Sequence, residues 1–310
     1  MTAVVRAERL TKRYGRRTIL DGLDFEIERG ERVALLGMNG AGKTTLFRCL
    51  LGLVGFEGRL TVEGLEAGPG ARGVRSRVAY LPQLPPVFDQ SLAGFLELFA
   101  ALRGVSIEAV VERLEQLGVA WAEVSGRPLR ALSGGMLQKG YLALALAARA
   151  PILVLDEPTA SLDPSSRRDL LRHLTEVGRD TTMILASHRL EEIEPLAERI
   201  LVLADGRIVF DGSLTDLWGV TETERGLWVD VPADEEAAAA AILRSHPAVR
   251  NVRVNGRGIG IAVEETAQLD VLFHLRHHAI RVRDFRRLTP SLEDVMGRFA
   301  DGHKRGPAGA

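Results

Sequence analysis

The chain of 310 residues contains one cysteine, Cys49, so no disulfide can form within it, and a reducing cytoplasm fits this composition. An excess of one charge is also lacking. Forty Lys and Arg face 41 Asp and Glu, a formal net charge of -1, so no basic field marks the chain as a nucleic-acid binder. Long apolar runs are missing too. The longest stretch, Leu142 to Leu155, carries Arg149 and Pro151 and is too short to span a bilayer. No charged-then-apolar leader opens the sequence, because polar residues are already dense between Arg6 and Arg13. If the protein works on a membrane, another chain is expected to supply the membrane part. What is present is an ordinary globular composition, 46% hydrophobic and 26% charged, long enough for one large domain and a smaller one.

Residues 1 to about 220 read as alternating strands and helices, an α/β pattern. A Gly30-Glu31 turn precedes the apolar strand Arg32 to Leu36, and a helix is expected from Lys43 to about Leu51. Gly64 to Gly73 reads as a surface loop. Val78 to Leu81 is a short strand, after which Pro82, Pro85 and Pro86 forbid a helix. Apolar residues at helical spacing over residues 91 to 118 predict a helical insertion, and a helical subdomain over about 84–148. Ile152 to Leu155 and Met183 to Ser187 read as buried strands.

Three local patterns carry chemistry. Gly37 to Thr45 reads GMNGAGKTT after a strand and at a helix start, the setting in which such a loop cradles phosphate. Gly37, Gly40 and Gly42 allow backbone N–H groups to turn inward, with Met38, Asn39 and Ala41 between them. Lys43 adds a positive charge for the β- and γ-phosphates, Thr44 offers a hydroxyl to Mg²⁺, and Thr45 continues the first turn. The second pattern is Asp156-Glu157 at the end of the strand Ile152 to Leu155, where open α/β sheets place ligands. Asp156 would hold Mg²⁺ and Glu157 would polarise an attacking water as general base. The third is Leu132-Ser133-Gly134-Gly135, a second glycine-rich helix start. One chain cannot easily fold both anion sites onto one phosphate, so the extra site points to nucleotides shared between two copies.

With these residues in order, the first 220 or so resemble an ATP-binding cassette (ABC) ATPase subunit. The resemblance implies a P-loop NTPase with a RecA-like core, an antiparallel β subdomain and a helical subdomain, with ATP and Mg²⁺ as ligands. It implies that Tyr14, in Lys12-Arg13-Tyr14-Gly15, stacks on adenine, and that Gln83, after Tyr80-Leu81-Pro82, touches Mg²⁺ and the attacking water. Ser133, Gly134 and Gly135 would clamp the γ-phosphate in trans, and Asp163, in Ser161-Leu162-Asp163, would lie across the same dimer interface. His188 would contact the γ-phosphate. Two positions depart from the family pattern. Met136 stands where many members carry Gln, and the residues after it, Gln138 and Lys139, are expected to keep some polarity there. No acidic residue lies beside Gly94 in Ser91 to Leu96, which bears on the contact to a membrane partner.

Composition changes after Trp218, with a polar linker over Thr221 to Arg225. Beyond it the expected order is a strand Leu227–Val231, an Ala-rich helix Asp234–Leu243, a hairpin across Asn255-Gly256, a helix Thr266–His274, a strand Ile280–Phe285 and a helix Ser291–Phe299. This predicts a small α+β accessory domain over 221–300, of ferredoxin-like type, and a disordered tail over 301–310. Pro290 to Val295 (PSLEDV) resembles the closing motif of ATPase subunits paired with ABC-2-type exporter permeases, and is also a capped helix start. Asp270, His274 and His278 recur at i, i+4 and i+8, with His277 beside them. That is metal-ligand spacing, and equally a solvated helix end.

The resemblance therefore implies an ATP-hydrolysing subunit, peripheral on the cytoplasmic membrane face. It would drive a separate transmembrane permease, of an exporter, by ATP-dependent pairing of two cassettes as a homodimer, without nucleic acid. The rival reading is a soluble ABC ATPase switching conformation on ribosomes or DNA. Those relatives usually carry two cassettes or a long coiled-coil insertion, and neither is present here.

Overall fold

The structure, a computed structural model, describes residues 2–221, 226–254, 258–288, 295–297 and 299. Two compact units divide between Leu217 and Trp218. The first begins with two long strands, β1 (Ala3–Tyr14) and β2 (Arg17–Glu28), which alternate buried and exposed residues as a half-buried antiparallel pair should. Then come β3 (Arg32–Leu36), helix α1 (Lys43–Leu50), β4 (Glu57–Val62) and β5 (Leu65–Glu66). Helix α2 (Arg72–Arg77) and β6 (Val78–Leu81) follow. The stretch expected to be a loop over Gly64 to Gly73 thus contains a short edge strand and the start of a helix.

Between β6 and the next strand the chain makes a helical arm. Helix α3 (Leu92–Arg103) starts on Ser91, whose hydroxyl accepts from Gly94 N, and ends on Gly104 at φ 67°. Helix α4 (Ile107–Gln116), the short α5 (Trp121–Val124) and α6 (Gly134–Ala147) complete the arm. Phe95, fully buried, stacks within 4.7 Å of Phe99 and 4.6 Å of Tyr141. Tyr141 donates its hydroxyl to Pro86 O at 2.6 Å, pinning the segment after β6 to α6, and its burial raises the phenol to about 12.

The core resumes with β7 (Ile152–Asp156), α7 (Pro164–Thr175), β8 (Thr182–Ala186) and α8 (Leu190–Ile193), then β9 (Arg199–Ala204), β10 (Arg207–Gly212) and α9 (Leu214–Thr221). One sheet has the order β2-β1-β4-β5, the other β10-β9-β3-β8-β7-β6. In the second sheet β9, β3, β8, β7 and β6 run parallel, with β10 antiparallel at the edge. Every residue of β3, β7 and β8 is buried, which is why they are continuous apolar runs rather than alternating ones. The order places the carboxyl ends of β3, β8, β7 and β6 side by side, and the functional residues leave from those four ends.

The second unit contains β11 (Gly226–Asp230), α10 (Glu236–Ser245), β12 (Val249–Val254), β13 (Ile259–Val263), α11 (Gln268–His277) and β14 (Asp284–Leu288). The sheet order β12-β13-β11-β14, antiparallel throughout, is the split βαβ arrangement of ferredoxin-like domains. Leu227, Val229, Leu243, Ile261 and Leu275 form an apolar core between sheet and helices. The last strand differs from the sequence expectation of Ile280–Phe285. Arg281 N donates to Glu235 Oε2 and Arg283 N to Asp230 O, so this stretch is a lead-in, and pairing with β11 begins only at Asp284. The turn at Asn255-Gly256, the linker residues 222–225, PSLEDV apart from Val295, most of the expected helix Ser291–Phe299 and the tail 301–310 lie outside the described residues.

Candidate nucleotide site

The phosphate loop follows directly from β3. Gly40 and Gly42 sit at φ 84° and 111°, in the left-handed region where only glycine is unstrained. Gly37 lies so close to the neighbouring strand that a Cβ would meet Leu203 O at 2.5 Å. The loop delivers Lys43 to the first turn of α1, where it is buried, with Nζ donating to Gly37 O at 2.6 Å. Burial lowers the Lys43 ammonium below the usual lysine range, while Glu157 and Asp156 oppose the shift. Its Nζ stands 3.9 Å from Glu157 Oε1.

The two acids leave the end of β7. Thr44 donates its hydroxyl to Asp156 Oδ2 at 2.7 Å, and Tyr80 approaches the same oxygen at 3.4 Å. Asp156 Oδ1 is buried with no hydrogen-bond partner. Burial raises the Asp156 carboxyl above the ordinary range, against Thr44 and Lys43. A buried, unpartnered carboxylate oxygen beside a threonine hydroxyl fits a hard divalent cation that binds oxygen and keeps water ligands. Glu157 is nearly inaccessible, 3% exposed. Its backbone lies at φ 52°, strained for a residue with a side chain. Three hydrogen bonds hold it there: Glu157 N donates to Ala186 O at 2.9 Å, and Glu157 O accepts from Ala160 N at 3.1 Å and from Gln138 Nε2 at 3.2 Å.

His188 follows β8, the strand between β3 and β7. Its Nδ1 lies 2.6 Å from Glu157 Oε2, the geometry of a proton on Nδ1 donated to the carboxylate. With Nδ1 engaged by Glu157, only Nε2 remains for a phosphate. A cavity of about 280 Å³ brings together Tyr14, Met38, Asn39, Gly40, Ala41, Gly42, Lys43, Thr44, Thr45, Gln83, Asp156 and Glu157. Tyr14 closes one end, 44% exposed, with Lys12 Nζ 4.7 Å from its ring centre. Arg17 and Ile19, from the start of β2, also line the cavity. No motif announces them; they come from the strand paired with the one that carries Tyr14.

Ser133, Gly134, Gly135 and Asp163 do not line that cavity. Ser133 is the N-cap of α6 and accepts from Met136 N at 3.2 Å. Asp163 is the N-cap of α7, accepting from Ser165 N at 2.9 Å and Ser166 N at 3.1 Å. Hydrogen bonds from Ser166, then Ser165, hold the Asp163 carboxyl down to about 2. A Cβ at Gly134 would meet the Ser161 side chain at 3.3 Å, and one at Gly135 would meet Leu162 at 3.1 Å, so this helix start is seated against the loop that precedes α7. Gln138, expected to keep some polarity after Met136, turns that polarity inward. It is fully buried, donating to Glu157 O and accepting from Ser161 N at 3.4 Å.

The histidines of α11 behave differently. The rings of His246, His274 and His278 stand in a row, the first pair edge-on and the second tilted, with centres 4.8 and 4.5 Å apart. His278 Nδ1 turns back to donate to His274 O. Burial, then the neighbouring imidazoles, push His274 below the usual histidine range. Among the described residues no group of three or more His, Cys, Asp or Glu could hold a metal ion, so helical spacing at Asp270, His274, His277 and His278 does not become a ligand set. None of the described helices is long and apolar enough to cross a membrane.

A parallel sheet with a lysine-bearing phosphate loop, an acid paired to a threonine hydroxyl, and a glutamate–histidine pair defines a P-loop ATP hydrolase. Residues 20–160 match the family model described as ABC transporter. The chain is 34% identical, over 97% of its length and 95% of the relative's, to the daunorubicin resistance ATP-binding protein DrrA2 of Streptomyces coeruleorubidus. It is 30% identical to the linearmycin resistance ATP-binding protein LnrL of Bacillus subtilis, over 94% of this chain and 97% of that one. Among solved structures, the ATP-binding subunit of an ABC transporter superposes at a TM-score of 0.62 with 28% identity, over 70% of this chain and 92% of that one. A bacterial Atm1-family ABC exporter with ATP bound does so at 0.64 with 30% identity, over 69% of this chain and 40% of that one. The chain belongs to the ABC transporter ATP-binding proteins.

Proposed function

We propose that the chain is the ATPase subunit of an exporter and works as a pair of copies around two Mg·ATP, on the cytoplasmic face of a membrane, moving a separate permease. The observation that carries this reading is the division of the anion-binding helix starts. One, at Gly37 to Thr45, opens into the cavity with Lys43, Asp156 and Glu157, whereas the other, at Ser133 to Gly135, lies outside it. A second copy would bring its Ser133, Gly134, Gly135 and Asp163 to the first copy's nucleotide. The full-length likeness to two drug-resistance ATP-binding proteins, with the likeness to the cassette of a bacterial ABC exporter, favours export. It disfavours the ribosome or DNA switch.

In this reading Lys43 and the loop amides hold the β- and γ-phosphates, and Tyr14 stacks on the base. Thr44, Asp156 and Gln83 would hold Mg²⁺, which when bound offsets charge on the phosphate oxygens. Glu157 accepts a proton from the attacking water. The His188 Nδ1–H bond fixes the carboxylate rotamer, and Lys43 Nζ stands 3.9 Å from the other oxygen. A positioned base of this kind is worth roughly 10²–10⁴-fold in rate. The test is Glu157→Gln in the full chain. It should bind ATP, form an ATP-stabilised dimer on size-exclusion chromatography, and lose nearly all turnover. Rapid hydrolysis by that variant would remove Glu157 from its role, and a strictly monomeric ATP complex would remove the shared site.

A further inference from the structure

Glu192, on α8, is 2% exposed and gathers partners from three segments of the chain. Thr159, two residues past Glu157, donates its hydroxyl to Oε1 at 2.6 Å. Ser187, immediately before His188, donates its hydroxyl to Oε2 at 2.8 Å. The Ser187 hydroxyl oxygen in turn accepts from Arg189 N at 3.0 Å, so both residues flanking His188 are tied to one carboxylate. Two guanidinium groups face the same carboxylate, Arg167 Nε at 3.5 Å and Arg189 Nε at 3.7 Å from Oε1. Arg167 stands in the first turns of α7, where its N donates to Asp163 O at 2.9 Å. Its Nε is buried with no hydrogen bond of its own, so this ion pair is what offsets the charge there.

We infer that Glu192 is a positioning residue that sets His188 against Glu157 and couples that pair to the loop bearing Asp163. It does not line the nucleotide cavity. Its hydroxyl contacts fix the backbone two residues after Glu157 and one before His188, and the Glu157–His188 distance of 2.6 Å depends on both. Through Arg167 the same carboxylate reaches the helix capped by Asp163. One buried charge therefore links the two sides of the reaction: the general base, and the surface presented to the second copy. The alternative is an inert buried ion pair whose removal costs stability and nothing else. The inference rests on the assignment of Glu157 and His188 given under Proposed function.

The test uses the full chain with Glu192→Ala and Glu192→Gln. Gln keeps the volume and can exchange hydrogen bonds with the two hydroxyls, which rotate, but it removes the charge facing Arg167 and Arg189. In Glu192→Ala, kcat for ATP should fall about 10- to 100-fold, the size of effect that a small misplacement of reacting groups produces, with KM within about twofold. Glu192→Gln should fall between Ala and the parent. Added to Glu157→Gln, Glu192→Ala should also weaken the ATP-stabilised dimer several-fold. A kcat per folded molecule equal to the parent's in both variants, with only a lower melting temperature, would overturn the inference. A parallel rise in KM without loss of kcat would overturn it as well. If Glu192→Ala does not fold, Glu192→Gln decides the matter alone. Measuring Glu157→Gln alongside separates the two failures: if that variant hydrolyses ATP, the underlying assignment falls, whatever Glu192 does.

Discussion

The two units of this chain bury different things. In the first, the ends of adjacent parallel strands and the helices beside them hold buried Lys43, Gln138, Asp156, Glu157, Thr159, Ser187 and Glu192. In the second, Gln268 is the one buried polar side chain among the described residues, over a core of Val, Leu, Ile and Ala. A buried polar group is unfavourable unless it is paired, so seven of them clustered at one sheet edge mark a place where burial serves chemistry rather than stability. In the second unit charged residues, such as Arg250 and Glu264, pair in solvent. The histidine row fits that contrast. Its rings meet at the surface of α11 without converging on a common ligand.

Several substitutions would break or sharpen the contrast. The largest effect is expected at Asp156→Asn. Turnover should drop by roughly 10²–10³-fold, as when one preorganised charge-stabilising group is lost. Yet the nucleotide-free protein should become more stable. Burial raises the Asp156 carboxyl, so the neutral form is favoured by folding and its stabilising contribution is lost as pH rises through the folded pKa. Near neutral pH, Asn removes that burden and can still accept from Thr44. A gain of about 1 kcal/mol would raise the melting temperature by about 2–4 °C. A lower melting temperature would show that the carboxylate stabilises the apo fold. In the second unit, Leu243→Ala should do the opposite. It removes a fully buried side chain at an expected cost of about 2–5 kcal/mol, read by urea unfolding, while ATP turnover per folded molecule stays at the parent value. The smallest effect belongs to Asp163→Ala. The folded carboxyl is held to about 2, so its contribution is fully present above the unfolded carboxylate range and fades as pH falls toward 2. Denaturation curves of parent and variant should therefore differ at pH 7 and converge near pH 2; equal curves throughout would deny the cap.

Much of the cavity could be read from the chain alone because its parts are local. A phosphate loop is a strand, a turn of glycines and a helix start within fourteen residues, Arg32 to Thr45, and the two acids end one apolar run. Ser133 was legible at a helix start for the same reason, whereas Asp163 entered through the family resemblance alone. Gln138 and Glu192 were not legible. Each sits on a helix among residues that could equally face water, and each has a partner far along the chain, Glu157 19 residues from Gln138 and Thr159 33 residues from Glu192. Nothing in periodicity separates a polar residue aimed inward from one aimed outward. The strand placed at Ile280 to Phe285 slipped to Asp284–Leu288 by a similar blindness, since an alternating charged stretch says nothing of where its partner strand begins.

What the sequence determined by itself was the set of local conformations. Gly40 and Gly42 can occupy positive φ, Ser133 and Asp163 can cap, and the runs of β3, β7 and β8 can only be buried strands. Tertiary structure decided which of these became neighbours. Thr44 and Asp156 meet at 2.7 Å across 112 residues of chain, and Glu157 and His188 at 2.6 Å across 31. Parallel strands cannot be joined by a tight turn, so every parallel pairing within this sheet needs a long crossover, and the order β3-β8-β7-β6 is set by packing over the whole unit. The strained backbone at Glu157 has the same origin. Besides the local bond from Ala160, Gln138 and Ala186 hold it at φ 52°, and neither of these two is close to it in sequence.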